Sequence, residues 1–132
     1  MKTYSKLPLS YERVGARNEK LTTLVMQEIF GNAPDLTSES YLVKYQDVVA
    51  GIVSLYTECE KHCLINWLGV MDELGGHGIG HAALLDIIEH ARSSGYETIA
   101  LYNENGESAP ATKLYKKVFG DDGMGSMTMD LA

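Results

Sequence analysis

From Asn18 onward, apolar residues recur at helical spacing: Leu21, Leu24, Val25 and Ile29 fall on one face, and Gly31-Asn32 close the run. Ahead of it, Tyr4 to Leu9 reads as a short first strand, although Pro8 cannot donate to a ladder and weakens it. Tyr41 to Tyr45 and Val48 to Tyr56 are rich in β-branched and aromatic residues. Only Gln46-Asp47 separates them, which suits a tight hairpin. Cys63 to Val70 follows a polar turn and makes a third strand of this group. Neighbouring strands joined by short turns imply an antiparallel meander rather than βαβ units.

The second half changes period. Gly75-Gly76-His77-Gly78-Ile79-Gly80 is a glycine-rich turn. Directly after it Leu84, Ile87, Ile88 and Ala91 mark an amphipathic helix, which Gly95 is placed to stop. Thr98 to Tyr102 has the composition of a buried strand. Ser108 suits an N-cap, Pro110 lies in the first turn, and Ala111, Leu114, Tyr115 and Val118 share a second helical face. Ser126 to Leu131 alternates and closes the sheet. The order strand, helix, three strands, helix, strand, helix, strand predicts an α/β fold on a mixed, mostly antiparallel sheet.

At 132 residues, with no repeat or linker, the chain reads as one domain over residues 1–132. An apolar content of 45% and a net charge of only -7 exclude disorder as the main state. No apolar run approaches the roughly 20 residues of a membrane span. Met1-Lys2-Thr3-Tyr4 lacks the apolar core of a secretory signal, so secretion is not expected, and no membrane partner is expected either. The balance of 11 basic to 18 acidic residues argues against nucleic-acid binding, which needs a basic face. Cys59 and Cys63 are too few for a disulfide scaffold, and even with His62 they fall short of the four ligands of a closed zinc site. The expectation is a reducing, cytoplasmic setting and no metal.

A strand, a glycine-rich turn and a helix together suit anion binding. Glycines let an anion approach the backbone, and the first N–H groups of a helix point outward at the positive end of its dipole. A helix start with nothing bound has the same sequence. The P-loop spacing fails because His81, not Lys, follows Gly80. The dinucleotide fingerprint fails because Gly76-x-Gly78-x-x-His81 lacks its third glycine.

The stretch from Val70 through Glu73 to Gly78-Ile79-Gly80 resembles the central motif of the GNAT N-acetyltransferase family, Gln/Arg-x-x-Gly-x-Gly/Ala after a strand ending in Val. Ala111-Thr112-Lys113-Leu114-Tyr115-Lys116-Lys117 resembles the family's Ala-x-x-x-Tyr-Glu-Lys segment, and Gly51 matches its frequent glycine in the third strand. The resemblance covers about residues 41–131. It implies a mixed sheet with helices on both faces and a splayed central strand pair, Cys63–Val70 and Thr98–Tyr102. It implies acetyl-CoA as co-substrate, its pyrophosphate held by Gly75, Gly76, His77, Gly78, Ile79, Gly80 and His81, and its pantetheine arm along Leu68, Gly69 and Val70. The family's asparagine after the fifth strand aligns with Ser108, a departure, with Asn103 and Asn105 close by. The other departures are Gly75 at the Gln/Arg position, Phe119-Gly120 in reversed order, and one helix where the family places two between its first strands.

The resemblance makes Tyr115 the general acid for the departing thiolate; periodicity alone would make it a core residue. Ile65 stands where some relatives carry an acidic base and cannot act as one. His62, Asn66, Glu58 and Glu104 are the alternatives nearby, with water as a relay, and Trp67 and Tyr102 either pack or line the thioester slot. The expected activity is acetyl-CoA-dependent N-acetylation of a small-molecule, peptide or protein amine. Gly75 and the missing strand base leave a non-catalytic acyl-CoA-binding or regulatory module as the alternative. The short N-terminal part leaves apolar surface open, from which a homodimer is expected.

Overall fold

A computed structural model of the chain describes residues 1, 3, 7–33, 35–36, 39–57, 59–74, 77–103, 110–120 and 125–131. Its strands are β1 (Leu9–Arg13), β2 (Glu39–Tyr45), β3 (Val48–Tyr56), β4 (His62–Val70), β5 (Thr98–Asn103) and β6 (Gly125–Asp130). Its helices are α1 (Glu19–Phe30), α2 (Ile79–Ser93) and α3 (Pro110–Phe119). The six strands form one sheet in chain order. Every ladder is antiparallel except β4–β5, which α2 bridges as a parallel crossover.

Local chemistry explains most of the boundaries. Gln46 and Asp47 sit at φ 52° and 67°, so the β2–β3 hairpin turns through two left-handed residues, the hand that matches strand twist. Among the described residues the first strand begins at Leu9, after Pro8; of the expected Tyr4–Leu9, residues 4–6 lie outside the described residues and Leu7 and Pro8 are not in a strand. Proline has no N–H to give the ladder, so pairing starts at Leu9↔Tyr45.

Side-chain alternation sorts the core into two layers. Leu42 and Ile52 pack with Val25 and Met26 of α1 on one face of the sheet. Val43 and Val53 pack on the other with Leu84 and Ile87 of α2 and Tyr115 of α3. The predicted face of α2 is buried as expected, and that of α1 only in part, with Val25 buried and Ile29 packed beside it. Leu21 and Leu24 are 43% and 64% exposed, and the buried residues are Thr22, Val25 and Met26. Thr22 can take a core place because its hydroxyl donates to the Asn18 carbonyl 2.8 Å away.

One polar contact pins the α2 layer to the sheet edge. The Tyr11 hydroxyl of β1 donates to the fully buried Asp86 carboxylate of α2 at 2.5 Å. Burial, then the facing carboxylate, push the tyrosine pKa far up, so the phenol keeps its proton. Cys63 is buried in β4 and Cys59 is exposed, and both are free thiols. Among the described residues no helix is long and apolar enough to cross a membrane, and no metal-binding group of side chains occurs.

Candidate active site

The β4–β5 ladder runs from His62↔Thr98 to Ile65↔Leu101 and stops there. β4 continues to Val70, so residues 66–70 have no strand partner on that edge among the described residues. The divergence coincides with a bulge. Ser54 pairs with Trp67 and Leu55 with Ile65, leaving Asn66 as an extra residue. The bulge resets the alternation: Ile65 faces the α2 layer, whereas Trp67 meets Phe30 of α1 with ring centroids 4.9 Å apart.

The splay opens a cleft of about 1180 Å³ that runs through the sheet. Its α2–α3 side is lined by Leu68, Val70, Gly78, Ile79, Gly80, His81, Leu114 and Tyr115. Its α1 side is lined by Ile29, Phe30, Trp67 and Gly69. Ile65, Asn66 and Tyr102 lie where the two strands part.

Gly78 caps α2 at φ 77°, a left-handed conformation that glycine adopts without strain, and as a glycine it brings no side-chain cap to the helix. The opening N–H groups of α2 are therefore presented at the cleft with the positive end of the dipole. Opposite them lies the unpaired edge of β4. An anion on the helix start, continued by an extended amide-bearing chain along that edge, fits both features.

Tyr115 is 8% exposed, and its hydroxyl has no hydrogen-bond partner among the described residues. Burial pushes its pKa up, which keeps the proton on the oxygen. A buried hydroxyl without a partner carries a desolvation cost that a ligand atom could relieve.

The structure brings Leu68, Gly69, Val70, Gly78, Ile79, Gly80, His81 and Tyr115 to one cleft. It places two others elsewhere. His77 is exposed, and its Nδ1 lies 3.1 Å from the Leu74 carbonyl. Asn103 is buried and donates to the Thr112 hydroxyl at 3.0 Å, tying β5 to α3. Gly75, Gly76, Asn105 and Ser108 lie outside the described residues, as do Glu58 and Glu104. His62 sits at the start of β4 with Nδ1 2.5 Å from the Thr98 hydroxyl, at the opposite end of the strand from Val70. Among the described residues no carboxylate lines the cleft. The sequence reading missed Ile29, Phe30, Met71 and Leu74, which also line it. Ile29-Phe30 at the end of an apolar helix face was the available signal for the first two.

A sequence model of the acetyltransferase (GNAT) family matches residues 7–121. No curated protein matches the chain. Among solved structures, the ribosomal-protein-S18-alanine N-acetyltransferase from Escherichia coli has a TM-score of 0.74 at 12% identity, over 94% of each chain. Arabidopsis thaliana Naa50, in complex with the bisubstrate analogue CoA-Ac-MVNAL, has a TM-score of 0.67 at 23% identity, over 85% of this chain and 82% of that one. A GNAT family acetyltransferase from Elizabethkingia anophelis with acetyl-CoA bound has a TM-score of 0.60 at 18% identity, over 93% and 95%. At these identities the likeness is one of fold.

Proposed function

The chain belongs to the acetyltransferase (GNAT) family, and on that footing we propose that it moves an acetyl group from acetyl-CoA to a primary amine of a small molecule, peptide or protein. The observation that carries this reading is the through-sheet cleft, lined by the glycine N-cap of α2, by an edge of β4 without a strand partner and by Tyr115, whose hydroxyl has no hydrogen-bond partner, all among the described residues. The backbone of 78–81 holds the pyrophosphate, and β4 residues Leu68 to Val70 hold the pantetheine arm. When bound, acetyl-CoA supplies an activated acyl carbon and a thiolate leaving group. Tyr115 gives its proton to the departing sulfur. With no carboxylate among the described lining residues, water carries off the proton of the attacking amine.

A turnover assay with thiol detection, run beside a CoA-binding measurement, tests the proposal. Binding without turnover on any amine would leave the non-catalytic module. The glycine turn has its own test. Gly78 is a poor probe, because a side chain at φ 77° would strain the helix start itself. Gly80 is a better one: a Cβ there meets Leu114 at 3.6 Å and Val70 at 3.7 Å, which is ordinary contact. Gly80→Ala is expected to hold or raise thermal stability, since alanine is favoured over glycine in a helix by about 1 kcal/mol. It is expected to weaken acetyl-CoA binding roughly tenfold, the size of one charge-assisted hydrogen bond. Calorimetry showing unchanged affinity would remove the anion from this turn.

A homodimer in a reducing cytoplasmic compartment belongs to the same reading. The exposed Leu21 and Leu24 on α1 supply apolar surface for it, and the two free thiols agree with the compartment. Light scattering giving 14.5 kDa at micromolar concentration would exclude the dimer.

A further inference from the structure

The two mouths of the cleft differ in chemistry. On the α2–α3 side are the helix start, His81 and the Tyr115 hydroxyl. On the α1 side Ile29, Phe30, Trp67 and Met71 line the cleft, all of them half-buried. Tyr102 belongs to this side as well, since its neighbours Leu101 and Asn103 are each 3% exposed and point the other way, while Tyr102 is 65% exposed. Asn66, on the bulge, brings an uncharged amide to the point where the strands part. No charged side chain lines this mouth among the described residues.

Accepting the transferase reading, the acyl donor fills the α2–α3 side, and the amine must arrive through the other mouth. We propose that the acceptor is a primary amine carried next to a large apolar group, which lodges against Phe30, Trp67 and Tyr102. The apolar lining offers dispersion and desolvation to a hydrocarbon and no counter-charge to a polycation or to an amino acid's carboxylate. The amine nitrogen is left beside Asn66 at the splay, within the space where the acyl carbon is delivered. The slot is continuous with the reacting cleft, so its occupant is the acceptor itself.

Trp67 is the single tryptophan of the chain and reports the slot directly. In the presence of CoA, its emission is titrated with n-alkylamines from ethyl to hexyl, with phenethylamine, and with spermidine and glutamate; kcat/KM with acetyl-CoA is measured on the same set. Desolvating the amino group costs the same along the alkyl series, so the gradient reads the apolar contact alone. The dissociation constant is expected to fall about three- to fourfold per methylene, as full burial of each group gives, and kcat/KM to rise in parallel. Spermidine and glutamate are expected to leave the emission unchanged. Tyr102→Ser, at an exposed position that the fold tolerates, is expected to flatten the gradient and lower phenethylamine affinity at least threefold with CoA affinity intact. A peptide beginning with Met or Leu that outcompetes hexylamine assigns the apolar amine to a polypeptide end, and the reverse assigns it to a free amine; either supports the slot. A flat alkyl gradient, or a Trp67 response to spermidine or glutamate, overturns it. A steep gradient in emission with no turnover on any amine keeps the slot and overturns the transferase reading. Turnover without a gradient does the opposite.

Discussion

Tyr115→Phe is expected to lower turnover roughly ten- to a hundredfold while acetyl-CoA affinity and thermal stability stay near wild type. The change removes one oxygen and keeps the ring that packs in the α2–α3 layer. That oxygen makes no hydrogen bond among the described residues, so its loss breaks no structural contact there. A thiolate leaves tolerably well unaided, because an ordinary thiol pKa is about 8.5, which holds the effect to the low end of general acid catalysis. The pH profile carries a sign. An acid works only while protonated, so activity dependent on Tyr115 is lost as pH rises through its pKa. Burial moves that pKa above the usual tyrosine value, so the alkaline limb of the wild-type profile should lie above about 10. In the Phe variant the deficit should be largest at neutral and alkaline pH, where bulk acid is scarce. Near-normal turnover would return Tyr115 to the core, and a joint collapse of affinity and melting temperature would show a packing role.

The largest stability effect is expected at Gly51. A Cβ there would overlap the Gly69 carbonyl oxygen across the β3–β4 ladder and lie 3.2 Å from Gly69 C and Val70 Cα. These are backbone atoms of a paired strand and cannot swing aside as a side-chain tip would. Gly51→Ala should therefore cost about 3 kcal/mol, the upper part of the range for overpacking, and lower the melting temperature by roughly 10 °C. Because the displaced segment is 69–70, acetyl-CoA affinity should fall with it. Gly15→Ala, with nothing within 4 Å of the added carbon, is the near-neutral control. A Gly51→Ala protein that melts with wild type would mean that β3 and β4 are not this close.

The order of elements was readable because most of them carry their own local signal. The hairpin at Gln46-Asp47, the apolar face of α2 and the alternation before Leu131 each depend on a few adjacent residues. The α1 face was not readable in the same way. Leu21 and Leu24 are better apolar markers than Thr22, and only the packing of α1 on Leu42 and Ile52 shows which stripe turns inward. Half of the cleft shared this limit. The glycine turn and Tyr115 lie in compact motifs, whereas the α1 mouth joins Phe30 to Trp67 and Tyr102, three elements with nothing in sequence to link them. Nor did the chain pattern announce the Asn66 bulge, since an extra residue is defined only by the partner strand opposite it. The Asp86–Tyr11 contact went unread, since Asp86 stands among Leu84, Ile87 and Ile88 while its partner Tyr11 is 75 residues away.

Strand order identical to chain order has a consequence for how the molecule is assembled. A newly made chain can extend the sheet at one growing margin, each strand docking on the one before it, with no strand inserted between two already paired. The β2–β3 turn closes over two residues and costs the least loop entropy. The longest connection in the series is the β4–β5 crossover, residues 71–97, where α2 must form and settle before the parallel ladder can register. That closure is also the shortest ladder in the sheet, four residue pairs from His62↔Thr98 to Ile65↔Leu101. The seam where the two halves of the chain meet is thus the least stitched in the sheet, and the cleft is the part of that seam left open.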